Sequence, residues 1–89
     1  MRRLIFSERA KHDLEGVRAY IALDKPVAAK AYAERLIDTC HAPLDFPEIG
    51  RVGRRSGTRE LTVWPYVIVY RATAAAITIE RIQHGARRR

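Results

Sequence analysis

Two different hydrophobic rhythms divide this chain. Arg3 to Phe6 is a short apolar-rich run that stops at Ser7, whose hydroxyl can accept from the free N–H groups of a first helical turn, so a strand is expected to feed a helix there. From Glu8 to Leu23 the apolar residues Ala10, Leu14, Val17 and Ile21 recur at spacings of four, three and four, while Glu8, Lys11, Glu15 and Arg18 fall elsewhere. That spacing lines one face of a 3.6-period helix. Gly16 interrupts the pattern at a cost of about 1 kcal/mol relative to alanine. Asp24-Lys25-Pro26 then punctuates the chain, because proline disfavours helical geometry in the residue before it yet suits the first turn of a new helix. Val27 to His41 carries Ala29, Ala33, Leu36 and Cys40 on one stripe, with Tyr32 and Ile37 beside it. The small residues allow the two helices to approach as an antiparallel hairpin, and Pro43 is expected to end or kink the second.

The rhythm changes after Leu44. Leu44 to Arg51 reads as an apolar-tethered loop, and Arg51 to Gly57 as a basic loop with three arginines, two glycines and no acid. Three runs rich in β-branched and aromatic residues follow: Arg59 to Val63, Tyr66 to Arg71 and Ala76 to Ile82. Trp64-Pro65 and Ala72 to Ala75 separate them, and both are short enough for hairpin turns. The middle run is almost wholly apolar, as a central strand covered on one face and partly on the other would be. The expected order is β-α-α-β-β-β, an α+β fold with a small antiparallel meander sheet and the helical hairpin on one face, in a single domain over residues 1–89.

Composition narrows the classes of function. The 89 residues hold 17 Lys+Arg against 10 Asp+Glu, a formal charge of +7. Arg51, Arg54, Arg55 and Arg59 lie in a stretch without acid between Glu48 and Glu60, and Arg87 to Arg89 extend the excess at the end. Such a balance favours acidic partners, either nucleic acid or acidic protein. One cysteine, Cys40, excludes an internal disulfide and a multi-cysteine zinc site, and its place on the helical stripe makes it a core residue. With no apolar leader after Met1 and no run approaching the roughly 18 to 20 apolar residues of a membrane span, a cytoplasmic protein without membrane contact is expected. No Gly-rich phosphate loop, paired-carboxylate pattern or metal-ligand spacing is present, so no cofactor and no metal are expected.

Several segments together carry a family resemblance. Ser7, Ala10, Asp13 and Leu14 after the opening strand, Tyr20-Ile21-Ala22, Pro26 with Ala28-Ala29, and the Leu44, Pro47, Gly50, Arg51 loop stand in order. They are followed by Gly57-Thr58-Arg59-Glu60-Leu61, Tyr66-Val67-Ile68-Val69-Tyr70 and the closing Ile82-Gln83-His84-Gly85-Ala86-Arg87. Across nearly the whole chain these segments resemble the ParE/RelE superfamily of type II toxins. The resemblance implies a small basic bacterial toxin, held as a hetero-oligomer by a cognate antitoxin whose acidic, amphipathic C-terminal region wraps it. It also implies one of two targets: RelE-like members cut messenger RNA on the ribosome, and ParE-like members poison DNA gyrase.

Chemistry separates the two arms. Cleaving RNA by attack of a 2′-oxygen needs a base, cations for the developing phosphate charge, and an acid for the leaving oxygen. RelE-like chains place a cation directly after the tyrosine of the central strand; here that position is Val67. Arg87 matches their arginine after the closing glycine, but no tyrosine follows it. The Gly57 to Leu61 and Tyr20 to Ala22 stretches look more like the ParE arm, so a gyrase inhibitor that works by binding is the expected function, with a ribosome-dependent endoribonuclease as the alternative. On the nuclease reading, Arg59, His84 and Arg87 would be phosphate clamp, acid or base, and transition-state cation. His84 could equally fix a strand end, and Arg59 could serve a structural pairing. His12 and His41 read as surface or boundary residues on helices. Candidates for contact with target or antitoxin are Arg51, Arg54, Arg55, Arg59, Trp64 and Arg87, although a tryptophan at a sheet bend more often packs inward.

Overall fold

The computed structural model describes residues 1–85 and so leaves Arg87 outside the described residues. Seven elements follow one another: β1 (Arg3–Phe6), α1 (Glu8–Asp24), α2 (Pro26–Asp45), β2 (Arg51–Val52), β3 (Thr58–Val63), β4 (Tyr66–Ala72) and β5 (Ala76–His84). The α+β fold, the helical hairpin and the β3-β4-β5 meander match the sequence pattern. Three features add to it.

The opening strand does not extend an antiparallel sheet. β1 pairs in parallel with β5, Arg3 opposite Ala76 and Phe6 opposite Ile79, so the sheet is mixed and its order is β1-β5-β4-β3-β2. A parallel neighbour needs a long crossover, and the helical hairpin with the meander behind it supplies one. Second, the basic loop contains an edge strand. Arg51 and Val52 pair with Glu60 and Arg59, and the chain turns back through Gly53 to Gly57, where Gly57 takes a positive φ of 81°. Third, α2 continues through Pro43 to Asp45, with Pro43 buried. The ring occupies core space near the end of the helix, and the helix closes two residues later, with Phe46 N–H donating to the Ala42 carbonyl.

The core lies between the hairpin and one face of the sheet. α1 contributes Ala10 and Val17, α2 contributes Leu36 and Cys40, and the sheet contributes Val63, Tyr66, Ile68, Tyr70, Ile77, Ile79 and Ile82. Burial of the Cys40 thiol pushes its pKa up to about 12. Val67 and Val69 alternate with the core residues of β4 and therefore face the helix-free side, yet each is only about 5% exposed, at 5% and 6%. Their cross-strand neighbours are Thr62 and Gln83 for Val67, Glu60 and Arg81 for Val69. Long polar side chains of the flanking strands thus shield the apolar centre of the open face.

Polar contacts fix how the layers meet. Ser7 caps α1, its Oγ accepting from Ala10 N–H at 3.0 Å while donating to the Glu80 carbonyl at 3.0 Å. Tyr70 crosses the core, its hydroxyl donating to the Pro47 carbonyl at 2.8 Å and accepting from Gly50 N–H at 2.9 Å. A Cβ on Gly50 would stand 2.8 Å from the Tyr70 ring and 2.8 Å from the Glu60 carbonyl, so only glycine lets the loop settle there.

Candidate functional site

The arginines of the loop-and-strand cluster divide by what holds them. Arg51 Nη2 meets Glu60 at 3.2 Å, Glu60 being only 4% exposed, and Arg51 Nη1 donates to Thr62 at 3.1 Å. Arg59 donates to two loop carbonyls, Gly50 at 2.8 Å and Glu48 at 3.4 Å. It fastens the 46–50 loop to the sheet, and its pairing is with backbone rather than with an acid. Arg54 and Arg55 sit exposed on the turn between β2 and β3, with Arg54 N–H donating to Glu60 at 3.4 Å. On the helix-free face Arg71 is likewise bound, to Glu80 at 2.8 Å and to the Ser56 carbonyl at 3.2 Å.

His84 stands elsewhere. It pairs with Tyr66 at one end of β4, whereas Arg59 pairs with Tyr70 four residues further along that strand. At about 3.3 Å per residue this separates them by about 13 Å along the sheet, before the distance across strands is added. Arg59 and His84 are therefore not brought together around one phosphate. The His84 ring lies edge-on to Tyr66, with centroids 5.4 Å apart, and Tyr66 in turn meets Tyr32 of α2 at 6.0 Å. The Tyr32 hydroxyl donates to the carbonyls of Val63 at 2.6 Å and Trp64 at 2.8 Å, which ties α2 to the β3–β4 turn, and burial raises the Tyr32 pKa. Trp64 itself is 80% exposed, so it is a surface aromatic rather than a packed one.

His84 opens onto a groove of about 540 Å³ between α1 and the far end of β5. The cause is topological. β1 ends opposite Ile79, so beyond that point β5 has no strand on its outer edge. Asp13 of α1 takes the strand's place: its Oδ2 accepts from Ile82 N–H at 2.9 Å and from Arg81 Nε at 2.9 Å. His12, Gly16, Val17 and Tyr20 of α1 form one wall, with Tyr66, Arg81 and Ile82 among the residues opposite. His12 is exposed on α1, in line with its reading as a surface or boundary residue, whereas the groove beside it was not expected from the sequence. The signal was present, since His12, Gly16 and Tyr20 fall at i, i+4 and i+8 and share a helix face.

Near this end of the molecule the helical hairpin exposes Tyr20 at 69%, Leu23 at 87% and Val27 at 88%. These residues lie at the end of α1 and the start of α2, where the two helices meet. Among the described residues no group of three or more His, Cys, Asp or Glu stands together to hold a metal ion, and no helix is long and apolar enough to cross a membrane.

Comparison with solved structures places this architecture. The chain superposes on the chromosomal ParDE toxin–antitoxin system of P. aeruginosa with a TM-score of 0.83 at 24% identity, covering 94% of this chain and 96% of that one. On YafQ from E. coli strain BL21(DE3) the TM-score is 0.61 at 20% identity, with 97% and 96% covered. The fold is that of the RelE/ParE toxin superfamily. Residues 4–89 match the family model described as the ParE toxin of the type II toxin–antitoxin system parDE, and the chain belongs to that family. It is also 34% identical over 87 residues to Toxin RelE2 of Caulobacter vibrioides, covering 98% of this chain and 99% of that protein. It is accordingly a type II toxin, of a family whose members pair with cognate antitoxins.

Proposed function

We propose that this toxin acts in the manner of the ParE arm: it binds and inhibits DNA gyrase in the bacterial cytoplasm, and a cognate antitoxin with an acidic, amphipathic C-terminal region neutralises it. The observation that carries this reading is the disposition of the cations. A nuclease needs several cations converging on one phosphate together with an acid or base. Here Arg59 is committed to loop carbonyls, Arg51 and Arg71 to Glu60 and Glu80, and His84 lies at the other end of β4. The central-strand position that would carry a further cation is Val67, 5% exposed. Exposed apolar side chains at the hairpin tip and Trp64 suit a protein surface better than a phosphodiester chain.

Purified toxin is expected to trap gyrase on supercoiled plasmid and to leave ribosome-bound message uncut. The alternative, a ribosome-dependent endoribonuclease, is favoured by His84, an imidazole at the mouth of a groove beside Tyr66. Defined cuts at A-site codons, lost in His84→Ala, with gyrase unaffected, would replace the first reading by the second.

A further inference from the structure

The opening strand closes one side of the sheet, and its outer edge is bare backbone. Arg3 N–H donates to the Ala75 carbonyl at 3.0 Å and Ser7 N–H to the Ile79 carbonyl at 2.9 Å. Bonding residues alternate in a parallel ladder, so Arg3, Ile5 and Ser7 turn their backbone groups towards β5. The N–H and C=O groups of Leu4 and Phe6 therefore point the other way, where the sheet order places no strand among the described residues. Gly85, held by the Pro65 carbonyl, lies six positions beyond Ile79 on β5, or about 20 Å. The four positions that follow it span at most about 14 Å, too short to cover this edge.

We propose that this edge pairs with a second copy of the chain, the two β1 strands running antiparallel about a two-fold axis at Ile5. The outward groups set the register. In an antiparallel pair, a residue that turns both backbone groups to its neighbour must face one that does the same. Leu4 then stands opposite the partner's Phe6, and the two such pairs close four backbone hydrogen bonds. Ile5, 38% exposed, faces the partner's Ile5 on the helix-free side, at the close spacing of a non-hydrogen-bonded pair. A shift of two residues either way would set Leu4 or Phe6 against chain outside β1.

Charge agrees with the same register. Arg3 meets the partner's Ser7, and Arg2 comes alongside the partner's Glu8 in the first turn of α1, so no like charges face each other. Arg2 is bound only through Nε, to the Thr73 carbonyl, and Glu8 only through Oε2, to Lys11. The Arg2 Nη atoms and the Glu8 Oε1 are left for the contact across the axis, and the Glu8 side chain is 92% exposed. Proline and charge are the usual guards of a sheet edge, and Leu4-Ile5-Phe6 carries neither. The contact is isologous, every element of it answered by its own copy. It is also small, so monomer and dimer are expected to exchange in the micromolar range.

Sedimentation equilibrium on the full chain, from about 1 µM to 1 mM in about 0.15 M salt, tests the pairing. Repulsion between the two basic chains is then screened beyond about 8 Å while paired side chains still meet. A monomer–dimer equilibrium is expected, with amide exchange at Leu4 and Phe6 slowing as concentration rises and that at Ile5 and Ser7 unchanged. Ile5→Lys sets like charges on the axis and should weaken the dimer by roughly tenfold or more. Glu8→Arg, at an exposed site, should weaken it too, and adding Arg2→Glu in the same chain should restore it. Loss of folding in Ile5→Lys would leave the charge exchange and the amide readout to decide. A chain that stays monomeric to 1 mM would overturn the proposal. So would a dimer in which the Leu4 and Phe6 amides still exchange fast, or one that the charge exchange fails to restore. Protection of those two amides by antitoxin alone, with the free toxin monomeric, would give the edge to the antitoxin instead.

Discussion

Arginine is the residue type that dominates this composition, and its members do unlike work. Arg59 and Arg51 hold the sheet and its loop together, while Arg54 and Arg55 lie exposed on a turn. Counting charges along the chain could not separate them, because a guanidinium bound to a backbone carbonyl and one bound to a carboxylate have the same letter. Tyr70 shows a similar dependence on context. Its hydroxyl serves Pro47 and Gly50 at once, so Tyr70→Phe leaves a buried N–H and a carbonyl unpaired and is expected to cost about 1–3 kcal/mol in urea unfolding. Cys40 gives a pH dependence. Burial raises its folded pKa from 9.0 to about 12, so above pH 9 the unfolded chain loses a proton that the folded one retains. Stability conferred by Cys40 is therefore intact below pH 9 and declines as pH rises towards about 12. Thermal unfolding across that range is expected to show the decline, with a smaller slope in Cys40→Ala. Thiol reagents at neutral pH should label Cys40 only in the unfolded chain.

Between elements, single side chains replace missing pieces of regular structure. β1 is too short to cover the full edge of β5, and Asp13 on α1 completes the edge by accepting the Ile82 N–H. Asp13→Ala should expose that edge, free Arg81 and destabilise the fold by about 1–3 kcal/mol, with hydrogen exchange accelerating first at Ile82. Tyr32 does comparable work for α2, holding it to the β3–β4 turn through two carbonyls. Helix and strand periods were enough to locate both helices and the meander. The α2 stripe of Ala29, Ala33, Leu36 and Cys40 is buried as its spacing requires. The groove was legible only in part. His12, Gly16 and Tyr20 could be placed on one helix face, but what that face opposes depends on where β1 stops along β5, which no local pattern encodes.

For the molecule as a whole, one sheet face is covered by the hairpin, and the other is closed by its own long side chains. Among the described residues no lysine or arginine is buried, so their charge can act at a distance on an acidic partner. Association with the antitoxin is expected to weaken as salt rises from about 0.05 to 0.5 M, mainly through a slower on-rate. Any apolar part of the contact should persist, because burial of apolar surface is little affected by screening. Saturating antitoxin should also raise the toxin's melting temperature in proportion to the logarithm of its free concentration, since it binds the folded chain.

The sequence by itself determined the opening strand, both helices and the three-stranded meander, their order, the buried stripe of each helix and the family, because these depend on periodicity, caps and turn residues within short windows. It also marked where charge accumulates. Only the tertiary structure decided that β1 runs parallel to β5, that Arg59 binds backbone, that Trp64 faces solvent and that His84 lies far from Arg59. Each of these depends on which distant segment becomes a neighbour.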